Sequence, residues 1–190
     1  MSKPAGKAEV TDALVDATID LIVERGLGIS VREIAARAGV NHGLVHLYFG
    51  GKPGLLRAAF DEVNRRAYAE QLPSGFPPPD LAHRRGGELA KAIARIRLEA
   101  DEDLFSSHPV VTSWREALAR TRPDLSADEV AGMVAVASAV ALGWALFADH
   151  LCASLEVGEA RRAELDSRVA ALVTELGGIT TTTTADDEGG

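Results

Sequence analysis

Cysteine is nearly absent from this sequence: Cys152 is the only one in 190 residues. One thiol can neither close an intramolecular disulfide nor build a cysteine-based zinc site, and a reduced, cytoplasmic setting is expected. Catalytic signatures are missing too. The chain has no Gly-rich phosphate loop, HExxH, CxxC or nucleophile elbow. His108, Glu116, Asp149 and His150 could meet by chance, but nothing arranges a nucleophile, a base and an orienting group among them. The sequence therefore reads as no enzyme, with no cofactor and no metal. The first seven residues lack the apolar core of a secretion signal. The longest apolar stretch, 130–148, is interrupted by Gly132, Ser138 and Gly143 and is rich in alanine. It reads as a buried or interface helix, and no membrane partner is expected.

What is present is the make-up of a globular chain: 46% hydrophobic residues and a mean hydropathy of +0.03. The net charge of −8 at first argues against nucleic acid as a partner. Its distribution argues the other way. Residues 1–70 hold nine Lys/Arg and nine Asp/Glu, so all of the excess lies in residues 71–190. Between 25 and 57, Arg25, Arg32, Arg37, Lys52 and Arg57 face Glu33 alone. A locally basic module on an acidic body suits phosphate attraction, although a solvated charged face would look the same.

Helical punctuation is clear in this module. Residues 10–25 place Val10, Ala13, Leu14, Ala17, Leu21 and Ile22 near one helical face, and Gly26 ends the run. Ser30-Val31-Arg32-Glu33 forms a capping box that opens a second helix near 30–37, with Val31, Ile34, Ala35 and Ala38 inward. Gly39 makes a turn, and Asn41 can cap a third short helix over 41–47. Pro53 sits in the first turn of a fourth helix, about 52–70, where its missing N–H costs nothing. A helix, a Gly-containing turn and a second short helix describe a helix-turn-helix.

From Val10 to Arg57 the chain resembles the DNA-binding domain of the tetracycline-repressor (TetR) family. The matching pieces are Asp16-Ala17, Glu24-Arg25-Gly26, Ser30 to Ala35, Ala38-Gly39-Val40, and Tyr48-Phe49-Gly50-Gly51-Lys52 followed by Leu55-Leu56. The resemblance implies an all-α fold: an N-terminal three-helix helix-turn-helix domain followed by a helical-bundle ligand-binding and dimerisation domain. It also implies roles. Ser30 would cap and touch phosphate, and Arg32 would reach guanine O6 and N7. Asn41, His42, Gly43 and Leu44 would lead the recognition helix into the major groove, and His46, Tyr48 and Lys52 would hold phosphates. Thr11 joins these contacts, one place after Val10, where the family often has threonine. Departures are visible: His46 stands where a tyrosine is usual, and Tyr48 where a histidine is. Leu47, usually aromatic or basic in the family, offers no hydrogen bond and could meet only a thymine methyl or nothing. His46 could equally pack on the first helix, Arg32 could be merely solvated, and Phe49 reads as core.

The remainder divides as follows. Residues 1–70 are expected to be the DNA-binding domain with its connecting helix, 71–80 a Pro- and Gly-containing linker, 81–176 the regulatory domain, and 177–190 a disordered tail. Helices are expected near 81–103, 109–121, 127–153 and 158–176, with a second capping box at Ser126–Glu129. Phe105, His108, Val111, Trp114, Leu118, Val140, Ala141 and Trp144 could line a pocket for a small, mostly apolar effector or could be ordinary core. Leu165, Val169, Leu172, Val173 and Leu176 recur at helical spacing, and the resemblance implies that such a helix joins its copy in a homodimer. The expected function is a dimeric repressor bound to a pseudo-palindromic operator on double-stranded DNA and released by a ligand. The alternative is a DNA-binding protein without an effector.

Overall fold

The computed structural model describes residues 6–99 and 108–179, which are all-helical apart from turns and connections. Eight α-helices occur among them: α1 Lys7–Arg25, α2 Val31–Ala38, α3 Gly43–Phe49, α4 Lys52–Ala69, α5 Arg84–Glu99, α6 Pro109–Thr121, α7 Ala127–Ser154 and α8 Glu159–Leu176. The described residues divide into two compact units, one of 6–69, 82–99 and 108–109, the other of 70–81 and 110–179.

In the first unit the apolar periodicity of α1 does the organising. Val10, Leu14, Ala17 and Leu21 fall four, three and four residues apart, on one face, and all are buried. That face meets Ile34 of α2, Val45 of α3, and Leu55 and Phe60 of α4 in one cluster. Thr18 is fully buried in the same helix at no polar cost, because its Oγ1 donates to the Leu14 carbonyl at 2.6 Å. α5 also packs on α1. The sequence places this helix with the second domain. Ala90 and Ala92 are buried on α5.

The second unit holds α6, α7 and α8. Val130, Val134, Ala137, Ala141, Ala148 and Cys152 form the buried stripe of α7. The expected capping box starts this helix: Ser126 N–H donates to Glu129 Oε2 at 2.8 Å and Glu129 N–H to Ser126 Oγ at 3.3 Å. The expected 71–80 connection is free of helix and packed: Phe76 is fully buried, and α6 donates to its carbonyls through Ser113 Oγ (to Gly75, 2.9 Å) and Arg120 (to Ser74, 3.1 Å). One expectation is corrected: residues 177–179, the start of the expected disordered tail, are packed, while 180–190 lie outside the described residues. Buried Trp114 donates its indole N–H to the Gly177 carbonyl at 3.0 Å, and Ile179 is 5% exposed. A buried indole needs an acceptor, and this turn supplies it.

Candidate nucleic-acid interface

The candidate interface begins with how α2 is held. Ser30 Oγ accepts from Glu33 N–H at 3.2 Å, and the Glu33 carboxylate accepts from Ser30 N–H at 2.8 Å, as expected of the box. These bonds, with Arg25 at 3.1 Å, hold the Glu33 carboxyl below its ordinary range. At the other end Arg37 forks onto Glu24 of α1 at 2.9 and 2.7 Å. α2 is thus tied to α1 at both ends.

The turn follows. Gly39 adopts φ 69°, ψ 27°, a left-handed conformation that a Cβ resists, while Val40 N–H bonds back to Ala35 O at 3.0 Å. Asn41, itself exposed, then bonds locally: its Oδ1 accepts from Gly43 N–H at 2.8 Å and its carbonyl from Leu44 N–H at 3.0 Å. The helix starts two residues later than expected, so the N-cap position is His42, not Asn41, and the Asn41 side chain bonds the first helical N–H from one place before it.

α3 has two faces. Val45 is fully buried, and Leu44, Tyr48 and Phe49 pack partly against the core. Gly43, His46, Leu47 and Gly50 are exposed, at spacings of three, one and three, with His42 exposed just before them. His46 therefore does not pack into α1. Leu44 packs partly against the core, while Leu47 on the exposed face is 70% exposed. Tyr48 is half-buried, with the Lys7 ammonium 5.6 Å from its ring centroid. Sequence reasoning missed Lys7, since no local pattern links position 7 to position 48. It also missed Gly54 of α4, where a Cβ would stand 1.9 Å from the Phe49 carbonyl oxygen.

The basic residues are less available than their count suggests. Arg25 and Arg37 are spent on Glu33 and Glu24. Lys52 is half-buried and donates to the Leu27 carbonyl at 2.7 Å, fastening the start of α4 to the loop after α1. Thr11 Oγ1 donates back to Lys7 and Ala8 carbonyls of its own helix. Arg32 is exposed and, among the described residues, has no carboxylate partner. What this surface presents is Ser30 and Arg32 at the start of α2 and a short helix, α3, that carries imidazole and leucine and no carboxylate of its own.

The profile of the bacterial regulatory proteins of the tetR family matches residues 14–59, from the middle of α1 into α4. An HTH-type transcriptional repressor of Mycobacterium tuberculosis is 35% identical over 167 residues, 85% of this chain and 86% of its own. The chain belongs to the TetR family. The HTH-type regulator BetI of Burkholderia lata is 34% identical over 116 residues, 57% of this chain and 54% of its own. A TetR-family regulator from Rhodococcus sp. superposes with a TM-score of 0.64 at 22% identity, covering 89% of this chain and 99% of that one, which shows a common fold. The protein is thus a TetR-family DNA-binding transcriptional regulator, and regulators of this family are not enzymes.

Of the residues expected to line a pocket, those from Val111 onward belong to the second unit of this TetR-family protein. Phe105 lies outside the described residues. His108 and Val111 are exposed, while Trp114 and Leu118 are buried in the core. Trp144 is half-buried and bonds to Asp166 at 2.7 Å, beneath an Arg162 guanidinium 5.4 Å from its ring. Val140 is half-buried and Ala141 buried. The partners of the two indoles, Gly177 and Asp166, are eleven positions apart, about 16 Å along a helix. One open cleft of this unit, about 370 Å³, is lined by Thr112, Arg115, Glu116, Ala119, Leu125, Ala127 and Val130, none of them predicted.

Of the expected dimer residues, Val173 is 2% exposed and belongs to the core of its own unit; Leu165, Val169 and Leu176 are half-buried and Leu172 is 41% exposed. α7 shows more open apolar surface: Val136 is 51% exposed, Phe147 57% and Leu151 42%. By length and composition α7 could cross a membrane, with a mean hydropathy of 2.1 over a window that is 22% buried, so the discounting of this stretch from its interrupting small residues does not hold on composition.

Proposed function

We propose that the protein is a homodimeric repressor whose two α3 helices read a pseudo-palindromic operator. The observation that carries this reading is the division of α3: Val45 anchors it in the core while His42, Gly43, His46 and Leu47 face solvent. Arg32 reads a base edge, and Ser30 and Tyr48 position the backbone. Lys52 adds a phosphate contact, since an ammonium has three donors and Leu27 takes one.

Dimerisation is supported by the open apolar face of α7. Val136, Val140, Gly143, Phe147 and Leu151 follow one another at helical spacing, and Leu172 adds to the exposed apolar surface from α8. A second copy would cover this surface, and the two α3 helices would then enter successive major grooves, roughly 34–36 Å apart. In this reading a small apolar compound seated in the second unit releases the operator. The effector-free alternative is favoured by one observation, the separation of Trp114 from Trp144 into distinct surroundings.

The test is operator binding. Arg32→Ala should lower affinity by about 1–3 kcal/mol and relax preference at one base pair per half-site. Leu172→Glu would bury a carboxylate without a partner, so it should sediment as monomer and lose tight binding. A wild-type protein that is monomeric at micromolar concentration refutes the dimer. Titration with apolar metabolites that quenches Trp emission without releasing DNA refutes the effector.

A further inference from the structure

We propose that Leu47 reads a thymine C5-methyl group in each half-site of the operator; this rests on the DNA-reading role of α3 proposed above. A lone exposed leucine is ordinary on a protein surface. Leu47 is set apart by its place. The exposed stripe of α3 consists of Gly43, His46, Leu47 and Gly50, and the two glycines carry no side chain, so the stripe offers one imidazole and one isobutyl group. At 70% exposure Leu47 is uncovered by any element of its own unit, while every other large apolar residue of α3 is at least partly buried.

The chemistry then narrows the choice of base. In the major groove the four base pairs differ in hydrogen-bond donors and acceptors and in one apolar feature, the thymine methyl. A leucine cannot answer a donor or an acceptor, and facing cytosine N4 or guanine O6 it would leave that polar group without its water. Opposite thymine it removes apolar surface on both sides from water. Leu47 therefore selects thymine over cytosine by a methyl contact, while His46 beside it supplies the polar reading.

Selection from a random duplex pool gives the preferred half-site. That duplex is then resynthesised with each dT replaced in turn by deoxyuridine, which deletes the methyl and leaves the hydrogen-bonding edge intact. For wild type, one position per half-site should lose about fourfold in affinity, the worth of one buried methyl. Leu47→Ala should bind thymine and uracil duplexes alike at that position, and Leu47→Met, which keeps an apolar side chain, should retain the discrimination. Melting curves of both variants should match wild type, because the side chain is solvent-exposed. Tolerance of uracil at every position by wild type, or undiminished discrimination by Leu47→Ala, overturns the inference. Failure of the wild type to enrich any duplex overturns the reading of α3 on which the inference stands.

Discussion

Arg66 of α4 reaches Asp16 on α1 and Glu62 on its own helix, where Glu62 also takes both arms of Arg65 at 2.6 Å. This cluster ties α4 to α1 beside an open cleft of about 600 Å³. The Arg65 hydrogen bonds, followed by those of Arg66, depress the Glu62 carboxyl from 4.5 to about 2. Taken at face value that fall corresponds to a ceiling of about 3 kcal/mol. Solvent lowers it: the side chains of Arg65 and Arg66 are 67% and 40% exposed, so about 1 kcal/mol is the better expectation. Glu62→Gln keeps the shape and removes the charge. Because the folded carboxyl lies below its unfolded value, its contribution is complete above about pH 4.5 and drains away as the pH falls toward 2. Thermal melts followed by far-UV circular dichroism should show Glu62→Gln melting roughly 2–4 °C below wild type at pH 7. The gap should all but close near pH 3. A gap that persists undiminished at pH 3 would mean that packing, not charge, had been lost, and the reasoning would fail. A variant as stable as wild type at pH 7 would refute it equally.

Two further outcomes follow from close packing. Gly54→Ala puts a Cβ 1.9 Å from the Phe49 carbonyl oxygen, so α3 must shift; operator affinity should fall at least tenfold in a mobility-shift titration, with a stability loss of about 1–3 kcal/mol in urea. Truncation after Leu176 removes the Trp114 acceptor and buried Ile179, and should cost about 2–5 kcal/mol and red-shift the Trp emission. Unchanged emission would show that the turn is dispensable.

The helix-turn-helix was legible because its signals are local. Ser30 and Glu33 lie three residues apart, Gly39 marks a left-handed turn in any context, and Val10, Leu14 and Leu21 repeat at helical spacing. Such features depend on neighbours along the chain, and family resemblance adds their order. Helix starts and stops in the second unit were legible for the same reason, through Ser126–Glu129 and Gly158. Which side chains are free to act depends on residues distant in sequence, and only the tertiary structure decides that. Arg37 is paired with Glu24 thirteen positions away, and Lys52 gives one of its three donors to Leu27 twenty-five away, so a basic count overstated the donors open to phosphate. Leu44 and Leu47 are the same residue type one turn face apart, and the packing of α3 on α1 and α4 sends one inward and the other out. Trp114 and Trp144 look like partners in an aromatic cluster, yet each indole N–H needed an acceptor and found it at a different point of the fold. A local pattern can say that a residue is polar or apolar and which way its helix turns, while long-range hydrogen bonds and burial determine what is left for a partner to touch.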